Sequence, residues 1–236
     1  MNELLGREES SRIEFKVHGP LALFTEPGFR MGGEKASYMV PTYEAIKGIT
    51  ASIYWKPTFI WHIDKVRVMK PIKMQPIGVR NVMYDPTDRK VDLSVYSYLE
   101  DVEYQVQAHF EWNYNRENMV QDRNWMKHKE IARRSIETGG RRDIFLGTRE
   151  CQGYVEPCKF GEGEGYYDNI SLIDFGFMFH GFTYPDEQES NLKLANFWNA
   201  KMEKGVITFP RPENCPKHKA LNTYKPKVFM DKREEN

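Results

Sequence analysis

Residues 101–112 read DVEYQVQAHFEW, and their alternation decides the fold. Val102, Tyr104, Val106, Ala108, Phe110 and Trp112 fall on one face of an extended chain, and Glu103, Gln105, Gln107, His109 and Glu111 on the other. Such a strand packs one side on a core and turns the other to solvent. Working outward, residues 12–19 repeat the pattern, with Ile13, Phe15 and Val17 alternating with Glu14, Lys16 and His18. Residues 58–70 give a third strand whose phase slips near Asp64 and Lys65, the mark of a bulge. Between the first and third strands, Pro41 opens a helix with the stripe Tyr43, Ile46, Ile49, Thr50 and Ile53, and Pro57 ends it. Gly48 in that helix costs about 1 kcal/mol relative to alanine, which predicts close packing against a neighbour. Residues 69–99, rich in Pro, Gly, Asp and Tyr, read as an inserted hairpin.

On the other side of the central strand lies RNWMKHKEIARRSIETGGRRDIFLGTRECQGYV, residues 123–155. His128, Ile131, Ala132, Ser135 and Ile136 form one helical face, Gly139 and Gly140 stop the helix, and the apolar run 144–146 follows. The order is β-α-β, insertion, β-α-β, which predicts an α+β fold with a ferredoxin-like (RRM-like) N-terminal domain carrying an inserted hairpin. From residue 150 to 203 there are ten acids and three lysines, a change that places a boundary between a domain over 1–150 and a smaller antiparallel β-rich domain over 151–236. In the latter, residues 170–184 and 206–209 read as strands, 192–202 as a helix, GEGEG at 161–165 as a hairpin turn, and everything from Pro210 as an irregular tail.

The chain has 236 residues, 40% hydrophobic and 14% aromatic, with equal numbers of basic and acidic side chains. That is globular and large enough to bury a core. The N-terminus lacks a signal-peptide pattern and no apolar run reaches membrane-spanning length, so the expectation is a cytoplasmic protein without a membrane partner. Three cysteines, an odd number, fit a reducing compartment. Cys151, Cys158, Cys215 and His218 can be written as a zinc set, but the first spacing is long for a zinc knuckle, and buried free thiols are the competing reading.

Residues 123–149 carry eight Lys/Arg (123, 127, 129, 133, 134, 141, 142, 149) against three Asp/Glu (130, 137, 143), a positive concentration on a neutral chain. It points to a local anionic partner, or else to a solvated surface. With a helix start near Met126, Lys127 and His128 sit in the first turn, where backbone N–H groups favour an anion and disfavour imidazolium. A neutral His128 is then ready to accept a proton; alternatively it only continues the apolar stripe. Tyr54, seven residues after Lys47, is either a core aromatic or shares a cleft with that lysine. Arg30 and Lys35, on a glycine-rich loop over 21–39, either meet phosphates or stand in solvent.

GGEKASYMVPTYEAIKGITASIYWKPT (32–58), RVMKPI (67–72), VEYQVQAHFEWN (102–113) and GGRRDIFLGTRECQGYVEPC (139–158) resemble the type I-C CRISPR-associated proteins called Cas five, subtype d. HGFTYPDE (180–187) and FPRPENCP (209–216) extend the likeness, which runs from about residue 13 to 227. The resemblance implies a RAMP-superfamily protein that binds CRISPR repeat RNA and cuts the precursor within the repeat without metal or other cofactor. It also implies that the product's 5′ handle stays bound and that the protein joins the other subunits of the type I-C surveillance complex. On the matching phrases SIYWKPT and RNWMKH, the family's catalytic residues become Tyr54, Lys127 and His128. The expected products are a 2′,3′-cyclic phosphate and a 5′-hydroxyl, because RNA brings its own nucleophile. Arg141, Arg142 and Arg149, then Lys47 and Arg134, are the candidate RNA contacts. Two other classes stay open: a binding subunit that does not cut, and a structural subunit that contacts duplex DNA. A metal nuclease is disfavoured, since no close carboxylate–histidine cluster stands out in this stretch.

Overall fold

A computed structural model describes residues 11–26, 34–82, 91–188 and 190–225; Arg30 lies outside them. The alternating segments form strands β1 (Ile13–Ala22), β2 (Phe59–Val68), β3 (Met74–Val82) and β4 (Val91–Trp112). Helix α1 (Tyr43–Ile53) separates β1 from β2, and α2 (Trp125–Glu137) follows β4. Then come β5 (Ile144–Phe145), β6 (Gln152–Pro157), β7 (Ile173–Thr183), β8 (Leu192–Met202), β9 (Val206–Thr208) and β10 (Lys217–Thr223). The protein is thus a mixed α/β structure with mostly antiparallel sheets.

The larger sheet runs β5-β6-β1-β4-β2-β9, with β3 paired to the first part of β4 as the inserted hairpin. Helices α1 and α2 cover the face formed by Phe15, Val17, Val106, Ala108 and Phe110, where alternation in β1 and β4 concentrates the apolar side chains. The slip in β2 is real: its register against β4 shifts between Ile63 and Lys65. Residue 150 falls in the turn between β5 and β6, so β6, beyond the charge change, still completes the larger sheet through its pairing with β1.

The opposite face of β4 departs from simple alternation, for Gln105 and His109 are buried as well. The 161–165 segment covers Gln105, and it is not a hairpin turn, since β6 and β7 belong to different sheets. Arg67 donates to the carbonyls of Glu162 and Gly163 and to the carboxylate of Asp168, and Gln105 accepts from Gly161 N. The loop is thereby clamped over β2 and β4.

His109 lies on the same face. Its Nδ1 is 2.8 Å from Asp64 Oδ1, it stacks on His62, and its Nε2 lies 3.6 Å from Glu111 and 3.4 Å from Arg211, which itself donates to Glu111. Burial opposes its charge and Arg211 repels it, but hydrogen bonds to Asp64 and Glu111 outweigh both and raise its pKa to about 9. A folded pKa above the unfolded one adds stability below about pH 6.5 that is lost as pH climbs through the folded value. The expected result is a melting temperature that falls between pH 7 and pH 10, with that part of the fall missing in His109→Gln.

Three expectations in the C-terminal half and in α1 are corrected. Residues 192–202 are strand β8 and not a helix, pairing with β7 on one side and β10 on the other. The tail beyond Pro210 is partly regular, with a 3-10 turn at Pro212–Asn214 and strand β10. Gly48 does not mark close packing: a Cβ there would meet nothing within 4 Å, and the position opens onto a groove. Among the described residues, the tightest glycine is Gly147, at φ +99°, where a Cβ would come 2.0 Å from the Leu23 carbonyl oxygen.

Candidate active site

The C-terminal end of α1 and the N-terminal end of α2 meet beside β2 and β4. Thr42 caps α1, and the helix releases the chain at Tyr54, whose backbone is already extended. Trp61 of β2 donates to the Tyr54 carbonyl at 2.7 Å, which fixes the ring at the helix end. Asn124 caps α2 by accepting from Lys127 N at 3.1 Å, so Lys127 and His128 occupy the first turn as expected.

The structure brings Tyr54 and His128 together: the tyrosine hydroxyl is 2.7 Å from His128 Nδ1. On the other side of the imidazole, Nε2 is 2.8 Å from the Asp122 carbonyl oxygen. A carbonyl only accepts, so Nε2 carries the proton, and Nδ1 accepts from the tyrosine. Both nitrogens are satisfied, and the ring stands among Phe59, Phe110 and Trp112, with 0% of the residue exposed. Burial, helped by the nearby ammonium of Lys127, lowers the His128 pKa against the pull of Asp122, so the group is neutral at pH 7. Tyr54 is 1% exposed, and burial, moderated by Arg141, raises its pKa to about 12.

Asp122 organises the outer part of the site. Its carboxylate accepts from Thr58 Oγ1 at 2.8 Å, pairs with the Lys127 ammonium and lies 3.4 Å from His128 Nε2. The anion beside the first turn of α2 is therefore the chain's own carboxylate. Lys127 keeps 43% of its side chain exposed. Arg141 lies with its guanidinium carbon 4.6 Å from the Tyr54 ring centroid and covers it, while the backbone N–H groups of Arg141 and Arg142 donate to the carbonyls of Ile53 and Ser52. Arg142 and Arg149 are exposed nearby in sequence, and Arg134 is exposed on α2, reaching back to the Glu130 carbonyl.

Lys47 goes elsewhere. It does not share a cleft with Tyr54: its ammonium is bound to both oxygens of Glu187, 2.6 and 2.8 Å away. That partner is 140 residues distant, which no local pattern reveals. Asp122 and Thr58 do not stand out in the sequence either. The only trace of Asp122 is its place five residues before Lys127, and that of Thr58 is its position just after Pro57. The three cysteines are free, and among the described residues no group of three or more His, Cys, Asp or Glu is arranged to hold a metal ion. Also among the described residues, no helix is long and apolar enough to cross a membrane.

The family described as CRISPR-associated protein (Cas_Cas5) matches residues 12–210. The CRISPR pre-crRNA endoribonuclease Cas5d of Mannheimia succiniciproducens is 26% identical over 229 residues, 85% of this chain and 96% of that relative. The protein of the same name from Thermus thermophilus is 28% identical over 225 residues, 85% of this chain and 92% of the relative. A solved structure titled "Crystal Structure of CRISPR-associated Protein" superposes with a TM-score of 0.74 at 38% identity, covering 88% of this chain and 96% of that one.

Proposed function

The chain belongs to the Cas5d family of CRISPR-associated proteins, and from that premise we propose that it cuts CRISPR precursor RNA within the repeat. In this reading the repeat's 5′ handle stays bound and the protein serves as a subunit of the type I-C interference complex, in the cytoplasm. The two curated relatives named as pre-crRNA endoribonucleases support the reading. The observation that carries it is the 2.7 Å bond between Tyr54 and a neutral His128 beside an exposed lysine. We also read the half that contains α1 and α2 as ferredoxin-like, supported by the antiparallel order β6-β1-β4-β2 with two crossover helices. The β7-β8-β10 sheet is then the smaller C-terminal unit.

His128 is buried behind Tyr54, whose ring Arg141 covers, and in this reading the tyrosine is the group that meets RNA once Arg141 moves aside. The 2′-hydroxyl gives its proton to the Tyr54 oxygen while the tyrosine proton passes to His128 Nδ1. The imidazolium so formed faces the Asp122 carbonyl and carboxylate. The 2′-oxygen bonds to phosphorus, the bond to the 5′-oxygen breaks, that oxygen takes a proton from water, and the hydroxide left behind takes the proton back from His128 through Tyr54. A 2′,3′-cyclic phosphate and a 5′-hydroxyl result, with no metal in the scheme. Lys127 neutralises charge on the phosphorane oxygens. A phosphate competes with the Tyr54 ring for Arg141, so RNA binding uncovers the hydroxyl. Mass analysis of the fragments tests the chemistry: a 3′-phosphate-free, 5′-phosphorylated product would refute it.

Arg141 and Arg142 sit at the mouth of the site, and we assign them to the RNA backbone. Each phosphate contact contributes roughly 0.7–0.9 to the slope of log affinity against log salt. The double change to alanine is expected to weaken repeat binding and flatten that slope by roughly 1–2. An unchanged slope in a salt titration removes them from the interface.

The complete burial of His128 favours a second reading, a subunit that binds repeat RNA without cutting, or that holds duplex DNA. Tight binding of the hairpin with no cleavage selects the first of these, and competition by unrelated duplex at physiological salt the second.

A further inference from the structure

The three-stranded sheet β10-β8-β7 has two unlike faces. One packs inward through Met178, His180, Trp198 and Ala200. Register places the outward residues in rows: Phe177 beside Asn199, Phe179 beside Phe197 and Lys217, and Phe182 and Lys219 on either side of the buried Ala195. Tyr184 and Lys193 continue the rows at one end. Phe177 is 53% exposed, and its ring lies nearly parallel to that of Phe197, 13° apart with centroids at 5.8 Å. Lysines stand over the rings: Lys193 is 4.0 Å from the Phe182 centroid and 4.8 Å from that of Tyr184, and Lys217 is 5.8 Å from that of Phe177.

The charge on this face is opposite to the acidic sequence around it. Among the described residues, the carboxylates beside it are already engaged. Asp174 faces Lys201 at 3.8 Å, and Glu44 accepts from Phe182 N and from the Tyr184 hydroxyl. Aromatic planes interleaved with cations are how proteins hold unpaired nucleotides, because every base has a face to stack and every nucleotide a phosphate. A protein-docking face of the usual kind is depleted in lysine at its centre.

The face is also joined to the candidate active site. Phe179 lines a groove of about 380 Å³ that runs along α1 past Gly48 to Ser52, with Phe24, Phe145 and Gly147 among its walls. Ser52, at the far end of the groove, lies two residues before Tyr54, and its carbonyl accepts from Arg142 N, next to the Arg141 that covers the Tyr54 ring. Gly48, where a Cβ would touch nothing, keeps the middle of this path open.

We propose that the outer face of the β7-β8-β10 sheet is a stacking platform for single-stranded RNA, which takes the unpaired flank of the repeat after it leaves the Tyr54 end of α1. The RNA identity of the ligand rests on the function proposed above; the single-stranded platform itself does not.

The test measures binding of three probes by fluorescence anisotropy: a repeat hairpin with a single-stranded flank, the same hairpin trimmed, and an unrelated 12-nucleotide oligouridine. The variants are Phe177→Ala, Phe177→Tyr and Lys217→Ala/Lys219→Ala, all at exposed positions. Phe177→Ala and the double lysine change are expected to weaken the flanked hairpin and oligouridine about 10- to 100-fold, to leave the trimmed hairpin unchanged, and Phe177→Tyr to restore binding. Equal affinities of parent and variants for oligouridine overturn the platform, as does loss of assembly with other complex subunits without change in RNA binding. If oligouridine binding is lost as expected but no hairpin is cut by the parent, the platform stands and the endoribonuclease reading falls. If the hairpin is cut and oligouridine binding is untouched by the variants, the reverse holds.

Discussion

Tyr54→Phe is expected to slow repeat cleavage by about 10²- to 10⁴-fold while leaving affinity for the repeat essentially unchanged, since it removes a proton-transfer group and nothing that holds RNA. The substitution deletes one oxygen. It leaves the ring among its neighbours, the Trp61 bond to the backbone carbonyl and the cover of Arg141 intact. What it breaks is the proton relay to His128, whose Nδ1 has the Tyr54 hydroxyl as its hydrogen-bond partner. An unpaired buried nitrogen remains, at about 1–3 kcal/mol of stability, so the melting temperature falls modestly while the fold persists. Single-turnover cleavage beside a binding titration separates the two effects. A variant that cuts at the parent rate shows that His128 and Tyr54 form a structural pair only.

Lys127→Ala is expected to lower the cleavage rate by about 10²- to 10³-fold, the usual effect of removing one preorganised charge aimed at a developing anion. It carries a second signature. Burial is the main cause of the low His128 pKa, and the Lys127 ammonium adds to it, while Asp122 opposes both. Activity requires neutral imidazole, so in the parent the acid limb of the rate profile lies below about pH 6.5, the ordinary histidine value. Without Lys127, Asp122 acts on His128 less opposed, and the limb moves to higher pH. A drop in rate with no movement of the limb would place Lys127 at the RNA but away from the histidine.

What is legible in the sequence is what local periodicity can carry. The alternation in 101–112, the slip at Asp64 and the stripe from Tyr43 to Ile53 each report one face packed on one core, and the structure has all three. Strand β8 passes for a helix because LKLANFWNAKM is rich in helix formers and because its alternation is interrupted by Asn196. That side chain is buried, bonded to Thr183 and His218, so a polar residue sits where the pattern calls for an apolar one. Strand β10 is exposed along its whole length and has no apolar face to show.

The candidate site divides in the same way. Tyr54, Lys127 and His128 are identified by motif, but their geometry depends on partners the motif does not include. Lys47 is claimed by Glu187, and Lys127 by Asp122. The burial of His128 follows from β2 contributing Phe59 and β4 contributing Phe110 and Trp112, two strands separated in the chain by the inserted segment. Spacing alone places the histidine on a helix face; only the assembled sheet decides that the tyrosine stands in front of it.

The most direct measurement is cleavage of an end-labelled CRISPR repeat hairpin in EDTA by the parent chain and by His128→Ala, with binding of the same hairpin followed in parallel. The expected result is a cut by the parent, lost in His128→Ala while binding survives. A parent that is inert in EDTA and restored by added magnesium, or a variant that cuts as fast as the parent, would contradict proton transfer through Tyr54 and His128.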